Sequence, residues 1–151
     1  MIEVFTNRIL IISVCAWALA QILKTLIALF QGKGLDFRYL FSSGGMPSSH
    51  SAIVTALATT AGITQGFGSA AFGITAILAS IVLYDAAGVR QAVSQQAMVL
   101  NRIVREIRLR EPLTIIEADL KELIGHTPFQ VVIGALLGII FAWLWLLIET
   151  I

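Results

Sequence analysis

Two histidines, two cations and a hydroxyl-rich loop are the residues of this chain whose types and spacing could do chemistry. His50 closes the string Gly44-Gly45-Met46-Pro47-Ser48-Ser49-His50 at the entrance of an apolar, helix-length stretch. A histidine at such a mouth, beside hydroxyls and backbone N–H groups, is the start of an anion site. Lys24 falls near the end of the first apolar run, Asp85 and Arg90 at the end of the third, and His126 at the start of the last. Ionisable groups at membrane depth are costly and mark function. Two imidazoles, two cations and a helix N-terminus make a phosphate site with acid–base capacity. The same set would also hold a phosphate without cleaving it.

The elements that must position these groups follow from composition. With 58% hydrophobic and 13% charged residues in 151 and a mean hydropathy of +0.90, the chain is too apolar for a soluble domain. It reads as an all-α integral membrane bundle forming a single domain over 1–151, with about four transmembrane helices at 9–30, 51–64, 70–89 and 129–148. The stretch 51–64 is short and rich in Ala and Thr, so it should be shielded by protein rather than lipid. Gln65-Gly66-Phe67-Gly68-Ser69 is turn chemistry that folds the second and third spans into a hairpin. Arg8, an apolar run and Ala18-Leu19-Ala20 resemble a cleavable signal peptide, but the apolar run resumes from Ile22 to Phe30 and favours an uncleaved anchor. Cys15 is the single cysteine, so no intrachain disulfide forms. A net charge of +1 gives no reason to expect nucleic acid.

Nine of the ten Lys and Arg residues lie in, or within two turns of, the loops at 31–47 and 90–128, and only Arg8 lies elsewhere. With four spans these loops share one side, and the positive-inside bias makes that side the cytoplasm. The second loop carries Leu100, Ile103, Val104 and Ile107 at helical spacing with arginines between them until Pro112. It is an amphipathic interfacial helix within an insertion at about 91–125. Thr114 and Glu117 form a capping box for a short helix closing at Gly125. Arg102, Arg105, Arg108 and Arg110 read most simply as solvating groups that meet anionic headgroups. Lys24 reads equally as a snorkelling lysine, and Ser48 and Ser49 as helix caps. Gly44 and Gly45 give the loop backbone freedom to approach a phosphate. Gly62, Gly66, Gly134 and Gly138 form small-xxx-small pairs for helix packing.

PSSH at 47–50 resembles the P-S-G-H motif of the type 2 phosphatidic acid phosphatase superfamily, which includes the vanadium haloperoxidases. His126-Thr-Pro-Phe-Gln130-Val-Val-Ile-Gly134 resembles its H-x-x-x-D-V-x-x-G motif. With YDAAGVRQAVSQQAMVLN between them, the three blocks look like the divergent branch of that superfamily, over about Lys24 to Gly138. The resemblance implies that His126 attacks phosphorus to give a phosphohistidine and that His50 protonates the leaving alkoxide. Arg90 and Lys24 would neutralise phosphate oxygens, with Ser48 and Ser49 adding hydrogen bonds. Two departures stand out: Arg90 and His126 are separated by the amphipathic insertion, and Gln130 occupies the place of the aspartate that orients the nucleophile. A neutral amide can hold an imidazole but cannot stabilise an imidazolium, so Glu122 and Asp85 are candidate substitutes.

These readings converge on a metal-independent membrane lipid phosphatase of a bacterial inner or plasma membrane, with its active site at the cytoplasmic face and no cofactor. Its substrate would be a phosphomonoester or pyrophosphate lipid of the phosphatidylglycerophosphate, phosphatidic acid or polyprenyl phosphate type. The competing class is a non-catalytic phospholipid-binding scaffold of the same fold. A channel or transporter subunit is weaker because no inverted repeat is visible. Four spans bury little surface alone, which leaves room for a homodimer.

Overall fold

The computed structural model describes residues 5–31, 45–110 and 127–150. These residues form α1 (Arg8–Phe30), α2 (Ser49–Gln65), α3 (Ala70–Tyr84), α4 (Arg90–Arg110) and α5 (Pro128–Glu149), with a π-helical turn at Asp85–Val89 joining α3 to α4. No strand occurs among the described residues. Among the described residues three helical segments are long and apolar enough to cross a bilayer: Arg8–Phe30, Ala70–Gly88 and Pro128–Glu149. This is an integral membrane protein built of helices. The expected helix at Thr114–Glu117 and its close at Gly125 lie outside the described residues.

Four of the five helices, all but α4, start at a side-chain cap. Asn7 Oδ1 accepts from Leu10 N–H at 3.2 Å and opens α1, and Ser69 Oγ accepts from Phe72 N–H at 3.2 Å and opens α3. The α2–α3 hairpin expected from the sequence is present. Its Gly66 holds φ +91°, a left-handed conformation that disfavours any side chain. Gly66 is therefore a turn residue and not the packing partner of Gly62 that the small-xxx-small spacing suggested. Gly62 instead makes room for Phe67, whose ring would lie 2.6 Å from an added Cβ and stands edge-on to Phe72 at 5.0 Å.

α2 is the centre of the bundle, packing against α1, α3 and α5. At 17 residues it is about 25 Å long, short of the roughly 30 Å hydrocarbon thickness. Its composition explains its place: Ser49, Ser51, Ala52, Thr55, Ala56, Thr60 and Ala61 are all buried, so protein rather than lipid surrounds it, as the Ala- and Thr-rich sequence implied. α3 is the contrast, with Ala79 its only buried residue. Ile12, Ala16, Ala56, Ala142 and Leu146 form a core where α1, α2 and α5 meet, and Phe141 and Trp145 pack against it. At that end of the bundle Arg8 pairs with Glu149 at 3.7 Å.

Gly134 and Gly138 set the α2–α5 distance. A Cβ at Gly134 would collide with the Ser48 carbonyl oxygen and lie 3.0 Å from Ser51 Cβ. A Cβ at Gly138 would collide with Ala52 O and Thr55 Oγ1. The Thr55 hydroxyl exploits that approach, lying 2.8 Å from Ser51 O in its own helix and 3.0 Å from Ala135 O across the interface. Without a hydrophobic drive between helices in lipid, such small-residue contacts and interhelical hydrogen bonds hold the bundle. Gly134→Ala and Gly138→Ala should each lower the thermal midpoint of the detergent-purified protein, with an overpacking cost of about 1–3 kcal/mol. Gly73→Ala, inside α3 with nothing within 4 Å of an added Cβ, should leave it unchanged or raise it slightly; equal midpoints for all three would show that the α2–α5 approach is not limiting.

Candidate functional site

The Pro47–Ser48–Ser49–His50 string forms the loop and first turn at the start of α2. Ser48 is the N-cap, with φ −71° and ψ 114°, and its side chain accepts from the Ser51 N–H at 3.4 Å. Ser51 Oγ donates to Ser48 Oγ at 3.0 Å. Ser48, Ser49 and Ser51 are all fully or nearly buried. The cap reading holds for Ser48 and not for Ser49, which is the first residue of α2; the first-turn amides of Ser49 and His50 stand at the positive end of the α2 dipole. His50 is half-buried on that turn.

Two other elements converge on this loop. The Ser48 N–H donates to the Gln130 carbonyl at 3.2 Å, which ties the start of α2 to the start of α5. Lys24 arrives from α1: it is 3% exposed, and its Cγ and Cδ lie 3.3 Å from where a Cβ on Gly45 would stand. The aliphatic stem thus lies along the Gly45 backbone, which φ +98° and the missing side chain make possible. Lys24 is packed into the protein and does not snorkel to water. Pro47, joined to Met46 by a cis peptide bond, is buried beside this contact.

Gln130 has a local task that explains its amide. Its Oε1 accepts from the Thr127 N–H at 3.1 Å while Thr127 Oγ1 accepts from the Gln130 N–H at 3.4 Å, the reciprocal pair of a capping box at the start of α5. The side-chain oxygen of Gln130 is therefore engaged with the peptide that follows position 126.

Asp85 opens the π-helical turn and is half-buried, and this turn packs against α5 as well as α3 and α4. π-turns inside helices frequently mark functional sites. Arg90 begins α4 directly after the turn and is placed here by its backbone. His126 and Glu122 lie outside the described residues. The structure thus brings Lys24, Ser48, Ser49, His50 and Gln130 to one end of the bundle, the end opposite Arg8 and Glu149. Sequence reasoning missed Ser51, although its place three residues after an N-cap serine is the signal for a cap partner. It also missed the Thr127-x-x-Gln130 capping box. Asn101, 2% exposed within α4, carried no signal at all.

The model of the "Divergent PAP2 family" matches residues 5–141. The chain belongs to that family. A relative in Bacillus subtilis (strain 168), named "Uncharacterized membrane protein YuiD", is 40% identical over 147 residues, covering 91% of this chain and 93% of the relative. No solved structure matches. The family match spans both the Lys24–Gly45 contact and the Ser48–Gln130 hydrogen bond.

Lys24→Met keeps an aliphatic stem against Gly45 and removes only the charge. It should leave the thermal midpoint within a few degrees and weaken orthovanadate or phosphate binding by roughly 10- to 100-fold, the span expected for a charge-assisted hydrogen bond. Unchanged anion affinity in a folded Lys24→Met protein would remove Lys24 from the site.

Proposed function

We propose that this protein is a membrane lipid phosphatase that hydrolyses a phosphomonoester or pyrophosphate lipid through a phosphohistidine. The observation that carries the reading is the Ser48 N–H to Gln130 O hydrogen bond. It joins the PSSH block to the HTPFQ block across the bundle, where Lys24 also lies.

In this reading α1, α2, α3 and α5 are four spans. The Lys24 end of the bundle faces the cytoplasm, where the arginine-rich segments also lie, in a bacterial inner or plasma membrane. The lipid enters with its tail in the bilayer and its phosphate at the start of α2. A neutral imidazole of His126 forms an N–P bond as the P–O bond to the lipid breaks, and protonated His50 delivers its proton to the departing alkoxide. Water then adds to phosphorus, the N–P bond breaks, and His50, now neutral, takes the proton from that water. Lys24 and Arg90 neutralise the equatorial oxygens while Ser48, Ser49 and the first-turn amides of α2 donate hydrogen bonds. Asp85 and Glu122 are left to steady the cations or the imidazole. Gln130 acts through the Thr127 peptide. Histidine chemistry of this kind supplies its own nucleophile and calls for no metal.

One observation favours a second reading, a non-catalytic phospholipid-binding scaffold of the same fold. Gln130 stands where the superfamily resemblance expects an aspartate, and its oxygen is engaged in the α5 cap.

Turnover separates the two. His126→Ala should abolish phosphate release from every substrate. His50→Ala should slow a lipid alkyl phosphate by about 10² to 10⁴ and slow an aryl phosphate far less, because an aryl oxide leaves without a proton. Equal losses on both substrates would remove His50 from the acid role. Wild-type protein that binds lipid phosphates yet releases no phosphate from a panel of them would establish the scaffold. Topology is checked separately with cysteines at Gly34 and Glu111 in a Cys15→Ala background, which should react with a membrane-impermeant maleimide from the cytoplasmic side only. Labelling from outside would move the site to the other leaflet and the substrate towards exported polyprenyl pyrophosphates.

A further inference from the structure

Three flanks stand out on α4, with Met98, 47% exposed, in the gap between the first and the second. At about 100° per residue, Ala97, Asn101 and Val104 share one flank of roughly 60°, and among the described side chains of α4 they are the covered ones, Asn101 being 2% exposed. Gln95, Arg102 and Glu106 fall together on a second flank, all exposed, with Arg102 Nε and Glu106 Oε1 paired at 3.5 Å. Val99, Leu100 and Ile103 occupy a third arc of roughly 100°, and they are 59%, 48% and 47% exposed. Ala92 and Gln96 lie on the same arc, and a shallow open groove is lined by Ala92, Gln95, Gln96, Val99 and Leu100.

A helix in water that rests one flank on its own protein turns polar residues out on the rest of its surface. α4 instead buries an asparagine on its covered flank and turns three large aliphatic side chains outward. It is also continuous with a hydrophobic segment, because Ala70–Gly88 runs through the π-turn into Arg90 without a break in helix. Its sequence carries Arg90, Arg102, Arg105, Arg108 and Arg110 against Glu106, a net +4 over 21 residues. An apolar arc beside a polar flank, on a cationic helix that begins where a span ends, is the arrangement of a helix lying in the boundary between headgroups and acyl chains.

We propose that the Val99, Leu100 and Ile103 arc of α4 is immersed in the acyl boundary of an anionic leaflet. The Gln95, Arg102 and Glu106 flank faces water and headgroups, and the Ala97, Asn101 and Val104 flank faces the protein. The sequence pattern alone indicated a surface helix whose arginines meet headgroups. The structure adds which arc enters the lipid and shows that the buried asparagine is on the other side. The assignment stands independently of whether the protein hydrolyses anything.

The test uses the full chain in a Cys15→Ala background, with single cysteines at 95, 97, 99, 100, 102 and 103 carrying nitroxides. The proteins are reconstituted in vesicles of phosphatidylglycerol and phosphatidylcholine. Collision rates with oxygen, which concentrates in acyl chains, and with a water-soluble nickel chelate should alternate around the helix. Positions 99, 100 and 103 should favour oxygen, 95 and 102 should favour nickel, and 97 should be shielded from both. Replacing the anionic lipid by phosphatidylcholine alone, or raising salt, should shift 99 and 103 towards nickel. Nickel access at 99 and 103 equal to that at 102 would place the arc in water. Shielding of 99, 100 and 103 from both agents would mean that protein covers it, whether a second copy or another partner. Either result overturns the proposal. Identical profiles in anionic and neutral vesicles would overturn its electrostatic part.

Discussion

The close approach of α2 to α5 is the constraint on which the rest of this protein depends. α2 is too short and too rich in serine and threonine to be held by lipid, and it is stable because other helices surround it. That enclosure requires glycine at 134 and 138, since any side chain at either position meets the backbone of α2. The same contact lets Ser48 donate its N–H to Gln130 O and lets the Thr55 hydroxyl sit beside Ala135 O. Packing and polar satisfaction are thus one event. A wider gap would leave the Thr55 hydroxyl only carbonyls of its own helix and would take the Gln130 carbonyl from the buried Ser48 N–H; an unmatched polar group in a low-dielectric interior costs about 1–3 kcal/mol.

The two ends of the bundle divide the work. At one end Ile12, Ala16, Ala56, Ala142 and Leu146 close a small, tight core. The adjacent Arg8–Glu149 pair is exposed enough that it contributes little, about 0–1 kcal/mol. At the other end the hydrophobic core gives way to Lys24, three serines, His50 and Gln130. Polar groups are concentrated where the helices begin and end, because that is where backbone amides and carbonyls remain to satisfy them.

Much of this was legible in the sequence, and the reasons are specific. The three apolar segments and the Gly66 turn follow from hydropathy and turn chemistry, which act locally. The enclosure of α2 followed from its Ala and Thr content, since lipid would reject it. Lys24 was ambiguous because the choice between reaching water and lying along Gly45 depends on a loop separated from it by twenty residues. The role of Gln130 was read from a motif position, which pointed to an imidazole. The signal for its capping bond is a threonine three residues earlier, of the same form as the Thr114–Glu117 pair expected from the sequence. The π-turn left no trace, because Asp-Ala-Ala-Gly-Val is compatible with an ordinary helical turn; the segment that takes the wider register packs against α5 as well as its own neighbours.

That wider turn makes the span and the arginine-bearing helix separately adjustable. One residue of register in an α-helix is about 100° of rotation, so gaining or losing a residue at Asp85–Val89 re-aims all of α4 while α3 keeps its seat. A lineage could change the azimuth of its surface helix, and with it the membrane composition it suits, by a single-codon insertion or deletion that never disturbs the α2–α5 contact.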